Sequence, residues 1–170
     1  MIIRPTEAPD FPHVARLTNV YIRTSAIHFG DRDQSPEELR ALWRDARATH
    51  PWYTAEVDGR FAGYAKSGAW RERAAYRRTA ETAIYVEESA RRTGVGRALY
   101  AALIDDLRAR GFHTIVAGVT LPNEASVRFH ESLGFRYVAT FSEVGRKFDR
   151  WHDVGFWQLM LGDGSGGPRA

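Results

Sequence analysis

No cysteine occurs anywhere in the chain. That excludes disulfides, thiolate metal centres and a cysteine-linked acyl intermediate, so the fold must stand on packing alone. Long apolar runs are missing too. No stretch approaches the roughly twenty apolar residues of a membrane span, and the opening Met-Ile-Ile-Arg-Pro-Thr-Glu has no basic region followed by an apolar one. Neither sign of charge dominates. The 24 basic and 21 acidic residues are interspersed and leave a net +3, too balanced to argue for nucleic acid or a membrane surface. The histidines lack ligand spacing, so no metal is expected. The absence of cysteine fits the expected cytoplasmic location.

What is present suits one globular domain, since 170 residues at 44% hydrophobic content can bury a real core. We read residues 1–161 as that domain and residues 162–170, rich in glycine with nothing apolar to bury, as a flexible tail. A short strand at residues 2–4 precedes a helix over residues 11–23, with Asp10 as N-cap and Val14, Leu17, Val20 and Tyr21 as its buried face. Residues 24–34 carry no period and read as a loop long enough to cover a substrate. Ser35-Pro36-Glu37-Glu38 is a capping box that opens a helix through Leu39, Leu42, Trp43 and Ala46. Asp58-Gly59 sets a hairpin between strands at residues 53–57 and 61–67.

The most informative stretch is residues 84–100, I-Y-V-E-E-S-A-R-R-T-G-V-G-R-A-L-Y. It begins as the end of a strand over residues 79–87 and passes through a polar turn. It then enters a helix whose Val95, Leu99, Leu103 and Leu107 recur at helical spacing. A glycine-rich turn opening a helix leaves backbone N–H groups unpaired at the positive end of the helix dipole, which suits a phosphate or pyrophosphate. Arg91, Arg92 and Arg97 add charge there. A P-loop would need Lys-Ser or Lys-Thr, and a dinucleotide fingerprint a third glycine where this chain has Leu99; neither fits.

After Gly111 closes that helix, the apolar run at residues 114–119 reads as a strand parallel to the one before it. Asn123 caps a helix to Leu133, and residues 135–144 and 151–161 form a final strand pair. The order β-α-α-β-β-β-α-β-α-β-β is a mixed α/β sheet flanked by helices.

Arg91-Arg92-Thr93-Gly94-Val95-Gly96 after a strand resembles the pyrophosphate-binding loop of the GNAT acyltransferases. Asn123-Glu-Ala-Ser-Val-Arg-Phe-His-Glu-Ser-Leu-Gly-Phe135 resembles that superfamily's second motif. His130 stands where many members carry tyrosine. With Glu81 in the preceding strand and Trp151-His-Asp-Val-Gly-Phe-Trp157 at the end, the chain is similar to the phosphinothricin and methionine sulfoximine/sulfone acetyltransferases. His28 replaces the asparagine of the herbicide-resistance enzymes, and Ala83 a threonine.

The resemblance implies a GNAT fold, acetyl-CoA as co-substrate and a homodimer. It implies that the backbone of Ile84, Tyr85 and Val86 pairs with the pantetheine arm. Arg91, Arg92, Thr93, Gly94, Val95, Gly96 and Arg97 hold the pyrophosphate, and Asn123 and Ser126 the lower part of the cofactor. Phe29, Arg71, Arg73, Tyr76 and Val154 line an amino-acid pocket. The chemistry can be stated independently. An amine is mostly protonated at neutral pH, so Glu81 is the expected base; a backbone N–H near Val86 would hold the oxyanion. His130 would titrate near the working pH and return a proton to the sulfur.

The expected activity is direct acetyl transfer to the α-amine of a small amino acid or analogue. Acetylation of a peptide N-terminus or polyamine would call for an acidic groove, whereas residues 70–78 carry four arginines. A non-catalytic acyl-CoA sensor is the alternative from another class. His152-Asp153 looks like a dyad, yet adjacent strand residues face opposite ways, so packing is expected there.

Overall fold

The protein is described by a computed structural model over residues 1–162; the remainder of the expected tail, residues 163–170, lies outside the described residues. Seven strands, β1 (Ile2–Pro5), β2 (Trp52–Val57), β3 (Arg60–Ala69), β4 (Thr79–Val86), β5 (Thr114–Thr120), β6 (Arg136–Lys147) and β7 (Arg150–Met160), form one sheet in the order β1-β2-β3-β4-β5-β7-β6. Four helices, α1 (Phe11–Thr24), α2 (Pro36–Ala46), α3 (Val95–Ala109) and α4 (Glu124–Ser132), flank it in the expected element order.

Each turn follows from its residues. Asp58 and Gly59 both take positive φ, 50° and 71°, the twist that joins antiparallel strands in a two-residue hairpin. Ser35 accepts the Glu38 N–H at 3.1 Å while Glu38 accepts the Ser35 N–H at 2.7 Å, so the box at the start of α2 closes both ways. Val95, Leu99, Leu103 and Leu107 are all fully buried and weld α3 to one face of the sheet. Each contributes about 1.5–3 kcal/mol of apolar burial.

Some expectations fail for identifiable reasons. Asp10 does not cap α1 with its side chain. Its carboxylate accepts from Arg4 Nη1 and Nη2 at 2.8 and 2.7 Å and from the Glu7 N–H at 2.8 Å, anchoring β1 instead. Val20 and Leu42 are exposed. The buried stripes of α1 and α2 run through Phe11, Val14, Ala15, Thr18 and Ile22, and through Leu39 and Trp43. Thr18 is admitted because its hydroxyl meets Val14 O at 2.7 Å and Tyr64 Oη at 2.6 Å. The β6–β7 turn falls at Phe148 and Asp149, both at positive φ, later than the sequence suggested. Glu143 kinks β6 without ending it, its N–H donating to Asp153 Oδ1 at 2.8 Å.

Alternation along the strands divides the sheet into two faces with different cover. Ala80, Ile84 and Val86 of β4, with Ile115, Ala117 and Val119 of β5, pack in the cluster built on α3, with Phe129 of α4 against it. Tyr85 and Ala83 face α1 and α2 together with Trp52 and Tyr64. By the same parity Glu81 is on the α1/α2 face, toward the end of β4 that those helices do not reach.

Candidate active site

The decisive backbone feature is a fork. β4 and β5 run parallel but pair only at Thr79–Thr114, Ala80–Ile115 and Glu81–Val116. Beyond Glu81 the strands part, so Ile84, Tyr85 and Val86 are paired on the β3 side alone. A strand edge of this kind accepts an extended ligand by main-chain hydrogen bonds. One of its acceptors is already engaged: Tyr21 Oη donates to Val86 O at 3.1 Å.

At the head of the fork, Gly94 takes φ 92° and opens α3, its carbonyl accepting the Ala98 N–H at 3.0 Å. The preceding N–H groups of Val95, Gly96 and Arg97 have no partner within the helix. A cleft of about 730 Å³ extends from here between β4 and α4, lined by Ile84, Val86, Arg92, Gly96, Asn123 and Ser126 among others. Arg91, Gly94 and Arg97 border the same cleft. Three of the expected cofactor residues contribute no side chain to it. Tyr85 and Val95 are buried in the two cores, and the Thr93 hydroxyl donates to Ala90 O at 2.7 Å. They shape the turn or offer backbone only. Two arginines have protein partners: Arg91 Nη2 is 3.2 Å from Tyr21 Oη and Arg97 Nη2 is 2.9 Å from Ser132 Oγ. Asn123 caps α4 by accepting the Ser126 N–H at 3.1 Å.

Glu81 sits at the crotch of the fork with its side chain exposed. Its Oε1 lies 3.8 Å from where a β-carbon on Gly118 would stand, an ordinary contact that places the carboxylate over β5. The surrounding protein raises its pKa above the ordinary carboxylate value, while the charges of Lys66 and Arg71 pull it back. That suits a base held ionised near neutrality.

His130 is on the other face, only 4% exposed. Nδ1 donates to Ser126 O at 2.8 Å, and Nε2 meets Tyr100 Oη at 3.1 Å, which in turn meets Thr82 Oγ1 at 3.2 Å. Burial lowers its pKa below the usual imidazole value, opposed by the Ser126 carbonyl. Burial thus favours the neutral ring at pH 7.

The expected acceptor residues fall into two groups. Arg71, Arg73 and Tyr76 line a groove of about 430 Å³ with His50, Arg110 and Phe112, at the end of β3 and β4. Arg71 is the link to the fork, since its charge reaches Glu81 and its guanidinium lies 5.2 Å from the Trp70 ring centroid. Phe29 instead rests on the β6–β7 hairpin, so close to Gly145 that a β-carbon there would lie 2.3 Å from Phe29 Cε2. Val154, buried in β7, pairs in register with Thr120 and Phe141 on the side of the sheet that carries Phe156 and Gly118. The loop bearing Phe29 is held by Lys147, whose Nζ donates to the carbonyls of Ile22, Ser25 and His28 at 2.5, 2.9 and 2.5 Å. His152 and Asp153 form no dyad: His152 Nε2 meets Lys147 O at 3.1 Å, and Asp153 holds the β6 kink. Among the described residues no group of three or more His, Cys, Asp or Glu side chains is placed to hold a metal.

Sequence reading gave no site role to Lys66, Trp70, Tyr100 or Phe156, although Tyr100 and Phe156 lie within stretches it singled out. Only the register Lys66–Ala83 and Gly68–Glu81 puts Lys66 on the face of Glu81, and only α3 packing brings Tyr100 to His130.

A mixed sheet parted between its two parallel strands, with a glycine-opened helix at the head of the gap and a carboxylate at its fork, defines an acyl-transfer fold. The Acetyltransferase (GNAT) family profile matches residues 14–135, and the chain belongs to that family. It is 42% identical over 156 residues to a phosphinothricin N-acetyltransferase of Streptomyces viridochromogenes, covering 92% of this chain and 85% of that one. It is 37% identical to an L-methionine sulfoximine/L-methionine sulfone acetyltransferase of Salmonella typhimurium, with 95% of both chains covered. Among solved structures, a GNAT superfamily phosphinothricin acetyltransferase of Sinorhizobium meliloti in complex with acetyl-CoA superimposes with a TM-score of 0.93 at 27% identity, over 99% of this chain and 92% of that one.

Proposed function

We propose that this chain transfers acetyl from acetyl-CoA directly to the α-amine of a small amino acid or analogue of the phosphinothricin and methionine sulfoximine/sulfone kind. The observation that carries the reading is the position of Glu81 at the last paired residue before β4 and β5 part. A thioester threaded along Ile84–Val86 ends beside that carboxylate. Cofactor and acceptor are then bound together, and no protein nucleophile is needed.

In this reading the pyrophosphate takes the free N–H groups of Gly96 and its neighbours and the charge of Arg92. Glu81 removes the ammonium proton, directly or through water, and the nitrogen attacks the thioester carbonyl. The N–H of Val86 or its neighbours, on the unpaired edge, holds the oxyanion. The C–S bond breaks as the amide forms, and the second proton that the nitrogen sheds returns to the departing thiolate through water with His130 as the relay. Arg71 and Arg73 take the acceptor's carboxylate, and Phe29 and Val154 close on its side chain.

We further propose a cytoplasmic homodimer of single-domain chains spanning residues 1–161, without nucleic acid or membrane partners. Val138, Phe141, Val144 and Trp151, each more than half exposed on the β6–β7 hairpin, supply its interface; sedimentation shows one species of twice the chain mass if this holds. No described helix is long and apolar enough to cross a membrane.

Thiol release from acetyl-CoA against phosphinothricin, methionine sulfoximine, methionine sulfone, free amino acids, a polyamine and a short peptide tests the activity. Turnover confined to amino acids and their analogues supports it. Coenzyme A binding with silence across the panel would replace it with a sensing role, and turnover of the peptide or polyamine alone would replace the acceptor.

A further inference from the structure

Lys66 is a charged side chain at the fork that the catalytic scheme above leaves without a task. It projects from β3 directly opposite Ala83 and diagonal to Glu81, which is paired with Gly68. Residues so placed have β-carbons roughly 7–8 Å apart on one face. The floor between them is small: Ala83 carries one carbon, Gly68 none, and a β-carbon added at Gly68 would meet nothing within 4 Å. A hollow therefore separates a carboxylate at one end from an ammonium at the other.

The ammonium end contains donors only. Lys66 is half-buried, and among the described residues its Nζ makes no hydrogen bond or ion pair. It stands 5.3 Å from the Trp52 ring centroid. Trp52, the register partner of Lys66 on β2, is 5% exposed, and its Nε1–H has no acceptor. His28 completes the set. Its Nδ1 accepts the Gly30 N–H at 2.9 Å, which places the ring proton on Nε2. Burial and the charges of Lys66 and Lys147 push its pKa down to about 4, so it stays neutral. Burial likewise lowers Lys66, with the charge of Glu81 opposing the shift. Of these donors the Trp52 Nε1–H is fully withdrawn from water, and an anionic acceptor beside Lys66 gains a charge-assisted hydrogen bond.

Resting on the acetyltransferase reading, we propose that Lys66 is the specificity-determining residue of the acceptor pocket: it binds an oxyanion or strongly polarised oxygen at the end of the acceptor's side chain. The amine then faces Glu81 across the hollow, and the favoured acceptors are amino acids ending in a phosphinate, carboxylate or sulfonyl group. Amino acids with apolar ends leave the ammonium without a partner and bind less well.

The test is the ratio of kcat/KM for phosphinothricin, glutamate and methionine sulfone to that for methionine, in the intact protein and in Lys66→Met and Lys66→Arg. Calorimetric binding of coenzyme A shows each variant to be folded. The ratio should fall about tenfold or more in Lys66→Met, through KM and not kcat, with much of it restored in Lys66→Arg. A uniform loss across all acceptors would overturn the assignment, because it would place Lys66 on the common α-carboxylate or in support of Glu81. An unchanged ratio would overturn it as well. Silence of the unaltered protein on every amino acid would remove the acetyltransferase reading itself, and the assignment with it; turnover with unchanged selectivity removes the assignment alone.

Discussion

The cofactor cleft and the acceptor hollow share one fork in the sheet but are built differently. The cleft is made from two continuous segments, the end of β4 running into α3 and the start of α4, and it would bind through backbone. The hollow is made from side chains of β2, β3 and β4 with His28 from the loop after α1, and it would bind through charge. A cofactor common to a family can be held by peptide groups that any sequence provides. An acceptor must be distinguished from similar molecules, and only side chains can do that.

The largest expected effect breaks the two regions apart. In Glu81→Gln, kcat should fall by about 10²–10⁴-fold, while calorimetric affinity for acetyl-CoA is unchanged. A parallel loss of cofactor binding would mean that the two regions are not separable.

Gly94→Val attacks the other side. At φ 92° a β-branched residue is strained by about 1–2 kcal/mol, which corresponds to about tenfold in acetyl-CoA affinity if the loop relaxes to relieve it. The KM for the acceptor should hold. A loss confined to thermal stability would show that the strain is absorbed without moving the loop.

Lys147→Ala should act on the hollow from a distance. It frees the three carbonyls that pin the loop of His28 and Phe29, so acceptor KM rises several-fold and hydrogen exchange in residues 25–30 speeds up. The smallest effect is on pH dependence. Glu81 must be ionised to act, so kcat/KM climbs with pH through its pKa, which lies above the usual carboxylate range. Lys66 favours the ionised form, so Lys66→Met moves this limb to higher pH, and Glu81→Gln abolishes it.

The same contrast explains what was legible beforehand. The Gly94–Gly96 turn, the leucine stripe of α3 and the Asn123 cap are local: hydrogen bonds and helical spacing within a few residues determine them. The β-strand order was legible only as a series. Val20 and Leu42 were assigned inward by spacing alone, but the buried stripe was decided by where α1 and α2 meet Trp52 and Tyr64. Asp10 looked like a cap until Arg4, brought near by β1, claimed it.

By itself the sequence determined the element order, the glycine-opened start of α3 and the presence of the Glu81 carboxylate and the His130 imidazole. Tertiary structure decided the rest. The divergence of β4 and β5 after Glu81 makes that glutamate a candidate base, because strand pairing between segments more than thirty residues apart is not encoded in either one. Packing of α3 against α4 buries His130 beside Tyr100 and favours its neutral form. Register across β2, β3 and β4 brings Trp52, Lys66 and Glu81 onto one face, since a shift by a single residue would have turned each of them away.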